Sequence, residues 1–102
     1  MILITGTVEV AEENRAGFLK AAERQVTSSL KEEGCLGYGC FEDAWQRNRF
    51  TFVERWRDQA TVQVHFAKDY SREFMVATRK LVSKGTGVEI HDVASTRVLP
   101  AG

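Results

Sequence analysis

Residues 50–74 read FTFVERWRDQATVQVHFAKDYSREF, and the fold turns on how this stretch is divided. Phe50, Phe52, Glu54 and Trp56 alternate with strand periodicity, which puts one carboxylate on a face that is otherwise apolar and aromatic. Asp58 then supplies a helix-start signal. The segment after it, Thr61-Val62-Gln63-Val64-His65-Phe66, alternates well enough that a strand rivals a helix to about Phe66 on periodicity alone. Lys68-Asp69-Tyr70-Ser71 makes a break in either case, with Asp69 or Ser71 as the next cap. Phe74, Ala77, Thr78 and Leu81 define the inner stripe of a further helix.

Working outward, residues 2–10 (ILITGTVEV) are β-branched and alternating, with Ile2, Ile4, Val8 and Val10 on one side and Leu3, Thr5, Thr7 and Glu9 on the other. From about Glu12 to Glu33 the period becomes helical. Phe18, Leu19, Ala22, Val26 and Leu30 form its stripe, and Lys20, Glu23, Arg24, Lys31 and Glu32 lie outside it. Gly34 closes the helix as a residue free to adopt a left-handed conformation. Residues 35–44 (CLGYGCFEDA) make a second strand, with Leu36, Tyr38 and Cys40 on one face and the paired glycines Gly37 and Gly39 marking a bulge or a close approach. Gln46-Arg47-Asn48 turns the chain into a third strand, Arg49 to Arg57, which completes a hairpin. Gly85-Thr86-Gly87 ends the last helix, Val88 to Leu99 alternates as the final strand, and Pro100 terminates it.

The order β-α-β-β-α-β, with its second helix broken, is that of a ferredoxin-like split β-α-β unit: an α+β domain with a four-stranded antiparallel sheet and its helices on one face. One domain spans residues 1–102. Such a sheet leaves its other face bare. With Val53, Val93 and Leu99 on it, that face is too apolar to stay wet.

Composition narrows the function classes. Fourteen basic residues balance fourteen acidic ones, so no general field attracts nucleic acid or anionic lipid, and neither is expected as a partner. No apolar run approaches the roughly 20 residues that cross a bilayer, and Met1-Ile2-Leu3-Ile4 lacks a charged leader and cleavage site, so a cytoplasmic address is expected. Cys35 and Cys40 are read as lying on opposite faces of one strand, which rules out a disulfide, and no second ligand pair joins them in a zinc site. No metal cluster, phosphate loop, nucleophile elbow or dinucleotide fingerprint is present.

Glu54 is the sharpest chemical signal, because a carboxylate between Phe52 and Trp56 must be paired, hydrogen-bonded or shifted towards its neutral form. The competing reading makes it a structural partner of a backbone group, or of Arg55 or Arg57 across an interface. His65 is the natural titrating partner near neutral pH, against a reading in which it simply fills a helix-sheet interface. Trp56 and Tyr38 could line a flat aromatic pocket or be plain core. Buried Cys40 has no positive partner to make it reactive. His91, beside Glu89 and Asp92, reads as a solvated or interface histidine.

Glu54-x-Trp56, then Asp58, then His65 after a short amphipathic segment, then a second cap and Phe74, resembles the antibiotic biosynthesis monooxygenase (ABM) family. The likeness runs over nearly the whole chain and favours the helical reading of 59–66. It implies a dimeric α+β barrel, in which two copies cover each other's bare sheet face as a homodimer. It also implies a pocket in which His65 and Glu54 are catalytic and Phe52, Trp56, Tyr38, Tyr70 and Phe74 bind substrate, Tyr70 at the helix break shaping its mouth. The implied chemistry is oxidation of a small electron-rich aromatic, a quinol or phenol, by dioxygen with no metal, flavin or haem. A haem-degrading branch of the same fold uses an Asn on strand one, a Trp on the short helix and a His on the next. Aligned from Trp56, those positions hold Thr5 or Thr7, His65 and a residue near Met75, so haem oxygenation is rejected. A non-oxidative, isomerase-like enzyme and a ligand-binding dimer without turnover are the alternatives, since fold alone does not assign function.

Overall fold

The computed structural model describes residues 1–102. The chain runs β1 (Ile2–Val10), a 3₁₀ turn (Glu12–Asn14), α1 (Arg15–Ser29), β2 (Cys35–Glu42), β3 (Arg49–Trp56), α2 (Gln59–Ala67), α3 (Asp69–Leu81), β4 (Val82–Gly85) and β5 (Glu89–Asp92). The antiparallel sheet has the order β2-β3-β1-β4, and β5 pairs the same strand as β4. This is a ferredoxin-like α+β fold with its helices on one face.

Periodicity in β1 and β3 is carried into the core as read. Ile2, Ile4 and Val10 are buried beside Phe50, Phe52 and Trp56, because β1 and β3 pair in register from Ile2↔Trp56 to Val8↔Phe50. Phe18 and Ala22 of α1 close over Val10, Phe50 and Phe52, while Val62 of α2 closes over Ile2, Ile4 and Trp56.

The segment after Trp56 is helical. Asp58 accepts from Thr61 N at 2.9 Å and the Thr61 side chain reaches back to the Asp58 backbone, a reciprocal cap that a strand would not build. Val64 and Phe66, half of the apparent alternation, are exposed, whereas Val62 and His65, three apart, are buried. The next helix begins at Asp69 with Lys68 as its cap and no side-chain capping bond, so neither Asp69 nor Ser71 caps it. Ser71 is instead buried against His65.

Four other expectations are corrected. A bulge between Cys35 and Gly37 changes the parity of β2, so Cys35, not Leu36, joins Tyr38 and Cys40 on the core face, and Leu36 is exposed. The two thiols therefore share a face and remain free, too far apart along the strand to bond. The α1 stripe is Phe18, Ala22, Gln25 and Ser29, while Leu19 and Leu30 are exposed. The final strand does not run from Val88 to Leu99. β4 starts directly after α3, and Thr86 bridges to β5 by exchanging bonds with the Thr7 backbone, so the fourth strand of the expected sheet is two short strands. Residues 93–102 are irregular, and Leu99 is exposed and off the sheet.

Gly37 and Gly39 face away from the helices. A Cβ at Gly39 would lie 2.6 Å from the Phe41 ring, and one at Gly37 would lie 2.7 Å from the Arg55 guanidinium. The bare positions thus let those two side chains lie flat over the open face, beside Leu3 and Val53.

The β2-β3 turn is tied to α1 by charge. Arg15 binds Glu42 at 2.5 and 2.8 Å, Arg47 binds Glu12 at 2.7 Å, and Asn48, at φ 68°, bonds to both acids. The Arg47 bond holds the Glu12 carboxyl at about 2, and the Arg15 bond does the same for Glu42, both below the ordinary 4.5. Depressed carboxyls contribute stability above pH 4.5 that is lost as pH falls towards 2. An acid titration followed by circular dichroism should show a loss in this window, reduced in Arg15→Gln and, because the pairs are exposed, by high salt.

Candidate functional site

Between the sheet and α3 lies a cavity of about 320 Å³, in the range of small-molecule sites. Its walls are Ile4, Phe52, Phe66, Phe74, Met75 and Ile90, and its polar end is made by Glu54, His65, Gln25, Ser71 and Tyr38. A cavity of roughly 150 Å³ accepts benzene, so this one has room for one or two rings.

The polar end follows from the local structure. Strand alternation turns Tyr38 and Glu54 to the same face, where they are register partners across β2 and β3. Trp56, two residues on, is fully buried and donates from Nε1 to Glu54 Oε1 at 3.0 Å. His65 projects from α2 onto the Trp56 ring, with centroids 4.5 Å apart, and its Nε2 lies 3.9 Å from Glu54 Oε1. Burial pushes the Glu54 carboxyl above its ordinary 4.5, opposed by the Trp56 bond and by His65. Burial also drives the Tyr38 phenol well above its usual range, reinforced by the Glu54 charge. Tyr38 is therefore a donor or acceptor here, never a phenolate.

The other imidazole nitrogen, Nδ1, lies 2.7 Å from Glu32 Oε2, and both side chains are almost completely buried. Tyr70 donates its hydroxyl to the same oxygen and sits near Ser29 Oγ at 3.4 Å. Burial and the Glu32 bond push the Tyr70 phenol up to about 12, so it stays protonated near neutral pH. Gln25 Nε2 reaches Tyr38 OH at 3.4 Å and Ser71 Oγ at 3.3 Å, while its buried Oε1 has no partner. Turning the amide over would let Oε1 accept from those hydroxyls and would free Nε2 instead. In both orientations the network is one partner short.

Of the residues read from the sequence, His65, Glu54, Tyr38, Phe52 and Phe74 line this cavity. Trp56 lies behind it as the support of Glu54, and Tyr70 faces a separate surface groove lined also by Lys31, Glu32, Arg57 and Lys68. His91 is half-exposed at the register position opposite Leu3, on the sheet face away from the cavity. Cys40, its thiol pushed up to about 11 by burial, is unreactive at neutral pH. Gln25, Ser71 and Glu32 were missed. Gln25 falls on the spacing of Phe18, Ala22 and Ser29, so a polar side chain at a core position of α1 was the available signal. The two carboxylates lie at opposite nitrogens of one ring and cannot converge on one ion, and no group of three or more His, Cys, Asp or Glu side chains is placed to hold a metal ion.

No helix is long and apolar enough to cross a membrane. The family model for antibiotic biosynthesis monooxygenase matches residues 1–77. A Synechocystis sp. protein, "Uncharacterized protein sll1783", is 30% identical over 96% of this chain and 67% of its own length. The Bacillus subtilis protein "Putative monooxygenase YcnE" is 31% identical over 81% of this chain and 87% of its own. A solved structure from Deinococcus radiodurans, described as a "putative antibiotic biosynthesis monooxygenase", superposes with a TM-score of 0.91 at 20% identity, over 99% of this chain and 100% of the other, which speaks for the fold. The capped helix after Trp56, the ferredoxin-like topology and the match over residues 1–77 agree that this chain belongs to the antibiotic biosynthesis monooxygenase family.

Proposed function

We propose that the protein oxidises a small electron-rich aromatic, a phenol or quinol of one or two rings, with dioxygen and no added cofactor. The observation that carries this reading is a cavity walled largely by apolar and aromatic side chains, with a carboxyl and an imidazole side by side. The hydrophobic walls desolvate the ring, and the hydroxyl meets His65 Nε2, which takes its proton. The resulting anion is electron-rich enough to reduce dioxygen within the cavity. A phenol oxidised in this way yields a quinone and water, and a hydroquinone yields a hydroxyquinone and water, each of which balances without an outside reductant. Glu54 orients the substrate hydroxyl, and the unmatched Gln25 amide gains a partner when the ring is bound. The non-oxidative and binding-only alternatives place the same ring in the same cavity and differ in consuming no dioxygen.

Glu54→Gln separates catalysis from folding. Because burial raises the Glu54 carboxyl in the folded chain, its ionised form is disfavoured there; the stability it contributes is complete below pH 4.5 and is lost as pH rises past the raised value. At neutral pH Glu54 is thus a liability to folding, and a glutamine still accepts from Trp56. The variant should melt at or above the wild-type temperature while turnover of an accepted quinol falls roughly 10²-fold. A variant that melts much lower and turns over normally would make Glu54 a structural pair.

The same reading includes a homodimer through the open sheet face. Only 15 of the 102 residues are buried, a small core for this length, and Leu3, Val53 and Phe41 lie on the face away from the helices. Sedimentation velocity at micromolar concentration should return a dimer. A folded monomer would reject it, since an interface of this kind buries on the order of 2,000 Å² or more.

A further inference from the structure

His65 has one buried partner that the reading above leaves without a task. Glu32 follows α1 by three residues and turns inward, so its carboxylate meets His65 Nδ1 at 2.7 Å with both side chains nearly inaccessible. Tyr70, from the first turn of α3, donates to the same oxygen. Ser71 Oγ lies 3.5 Å from Nδ1 and 3.4 Å from Nε2, nearly the same distance from both, so it does not choose between them. Glu54 Oε1, 3.9 Å from Nε2, is beyond hydrogen-bond reach. The Tyr38 hydroxyl accepts from Gln25 Nε2. Glu32, at 2.7 Å, is therefore much the closest polar partner of either ring nitrogen.

A carboxylate oxygen with two lone pairs can accept from both Tyr70 O–H and His65 Nδ1–H. An acceptor at Nδ1 places the imidazole proton there, so the neutral ring presents its free lone pair at Nε2, the nitrogen nearer Glu54 and the cavity. We propose that Glu32 is a positioning residue of the reaction: it fixes His65 in the Nδ1–H tautomer, with Tyr70 holding Glu32 in turn. When Nε2 takes the substrate proton, the imidazolium forms against a carboxylate already in place. Glu32 and Tyr70 also line the groove shared with Lys31, Glu33, Arg57 and Lys68, which has no lining residue in common with the cavity. Small anions can thus approach the vacated position in a Glu32 variant without passing the substrate.

This rests on His65 acting as the base, so the test begins with a measurement that needs no turnover. Long-range ¹H–¹⁵N spectra of the wild-type protein with the imidazole neutral should show Nδ1 protonated and Nε2 bare. An Nε2–H tautomer would overturn the proposal whatever the activity. In turnover, Glu32→Gln should lose roughly 10- to 100-fold in kcat with little change in KM, and the acid limb of its pH–rate profile should move to lower pH. Glu32→Asp should recover part of the rate, and formate, but not chloride, should partly rescue Glu32→Ala. A purely structural Glu32 would lower the melting temperature and leave the pH profile and formate response unchanged, which would overturn the proposal. A wild-type protein with the Nδ1–H tautomer but no oxidation of any quinol would count against the proposed activity and leave the Glu32–His65 couple standing.

Discussion

Replacing His65 with glutamine is expected to lower quinol turnover by roughly 10²- to 10³-fold, the lower part of the span that general acid–base catalysis contributes. Glutamine is the informative choice because alanine would open a void against Trp56 and leave Glu32 buried without a partner, confounding chemistry with folding. With glutamine the side chain keeps length and polarity, and its amide can still donate to Glu32. It cannot accept a proton near neutral pH. The loss should fall on kcat, with KM for the quinol within a few-fold, because the walls made by Phe52, Phe74 and Ile90 are untouched. It should also shrink at high pH for substrates that ionise on their own. Unchanged kcat in a folded His65→Gln protein would remove the base from the mechanism and leave a cavity that only positions a self-reactive substrate.

The largest effect on stability is expected at Gly34→Ala. Gly34 has φ +84°, and a Cβ there would lie 2.3 Å from Thr61 Cγ2 and 2.8 Å from Thr61 Cβ. An L-residue held in that backbone region costs about 1–3 kcal/mol. The contact also pushes on Thr61, half of the reciprocal cap with Asp58, and loss of a cap costs about 0.5–2 kcal/mol. The sum, about 3 kcal/mol, is a large part of the 5–15 kcal/mol that holds a typical domain, and corresponds to a fall of at least about 10 °C in melting temperature. Thr61→Ser, which removes the nearest carbon, should recover part of the loss. Gly87→Ala, with nothing within 4 Å of its Cβ, should be close to neutral. Equal melting of the Gly34→Ala and wild-type proteins would show that the segment between α1 and β2 yields freely.

What could be read from the sequence was whatever repeats with a fixed period. β1 and β3 each bury one alternating face, so Ile2, Ile4, Phe50, Phe52 and Trp56 were legible as core, and Glu54 stood out among them. Where polar residues take core positions, the period misleads. Gln25 and Ser29 are buried while Leu19 and Leu30 are exposed, because α1 turns a hydrogen-bonding edge towards His65 and Tyr38. Glu32 read as solvated, since nothing local reveals that the chain turns inward after α1 to meet a histidine 33 residues away. The β2 bulge changed the parity that would have put Leu36 inside. At the other end, Gly85-Thr86-Gly87 reads as a helix stop, yet Thr86 keeps the ladder to Thr7, and the strand pairing sits on both sides of it. Half of the cavity was therefore visible: the strand residues, His65 and Phe74 were, and the α1 side was not.

The measurement closest to the central claim is dioxygen uptake by the purified, chelator-treated protein with a series of one- and two-ring hydroquinones, run under ¹⁸O₂. Saturable uptake above the spontaneous rate is expected, with one dioxygen per product, one labelled oxygen in the hydroxylated quinone and one in water, and loss of the enzymatic part in His65→Gln. Binding of the same hydroquinones with no uptake above the blank, or product formed without dioxygen, would contradict the claim.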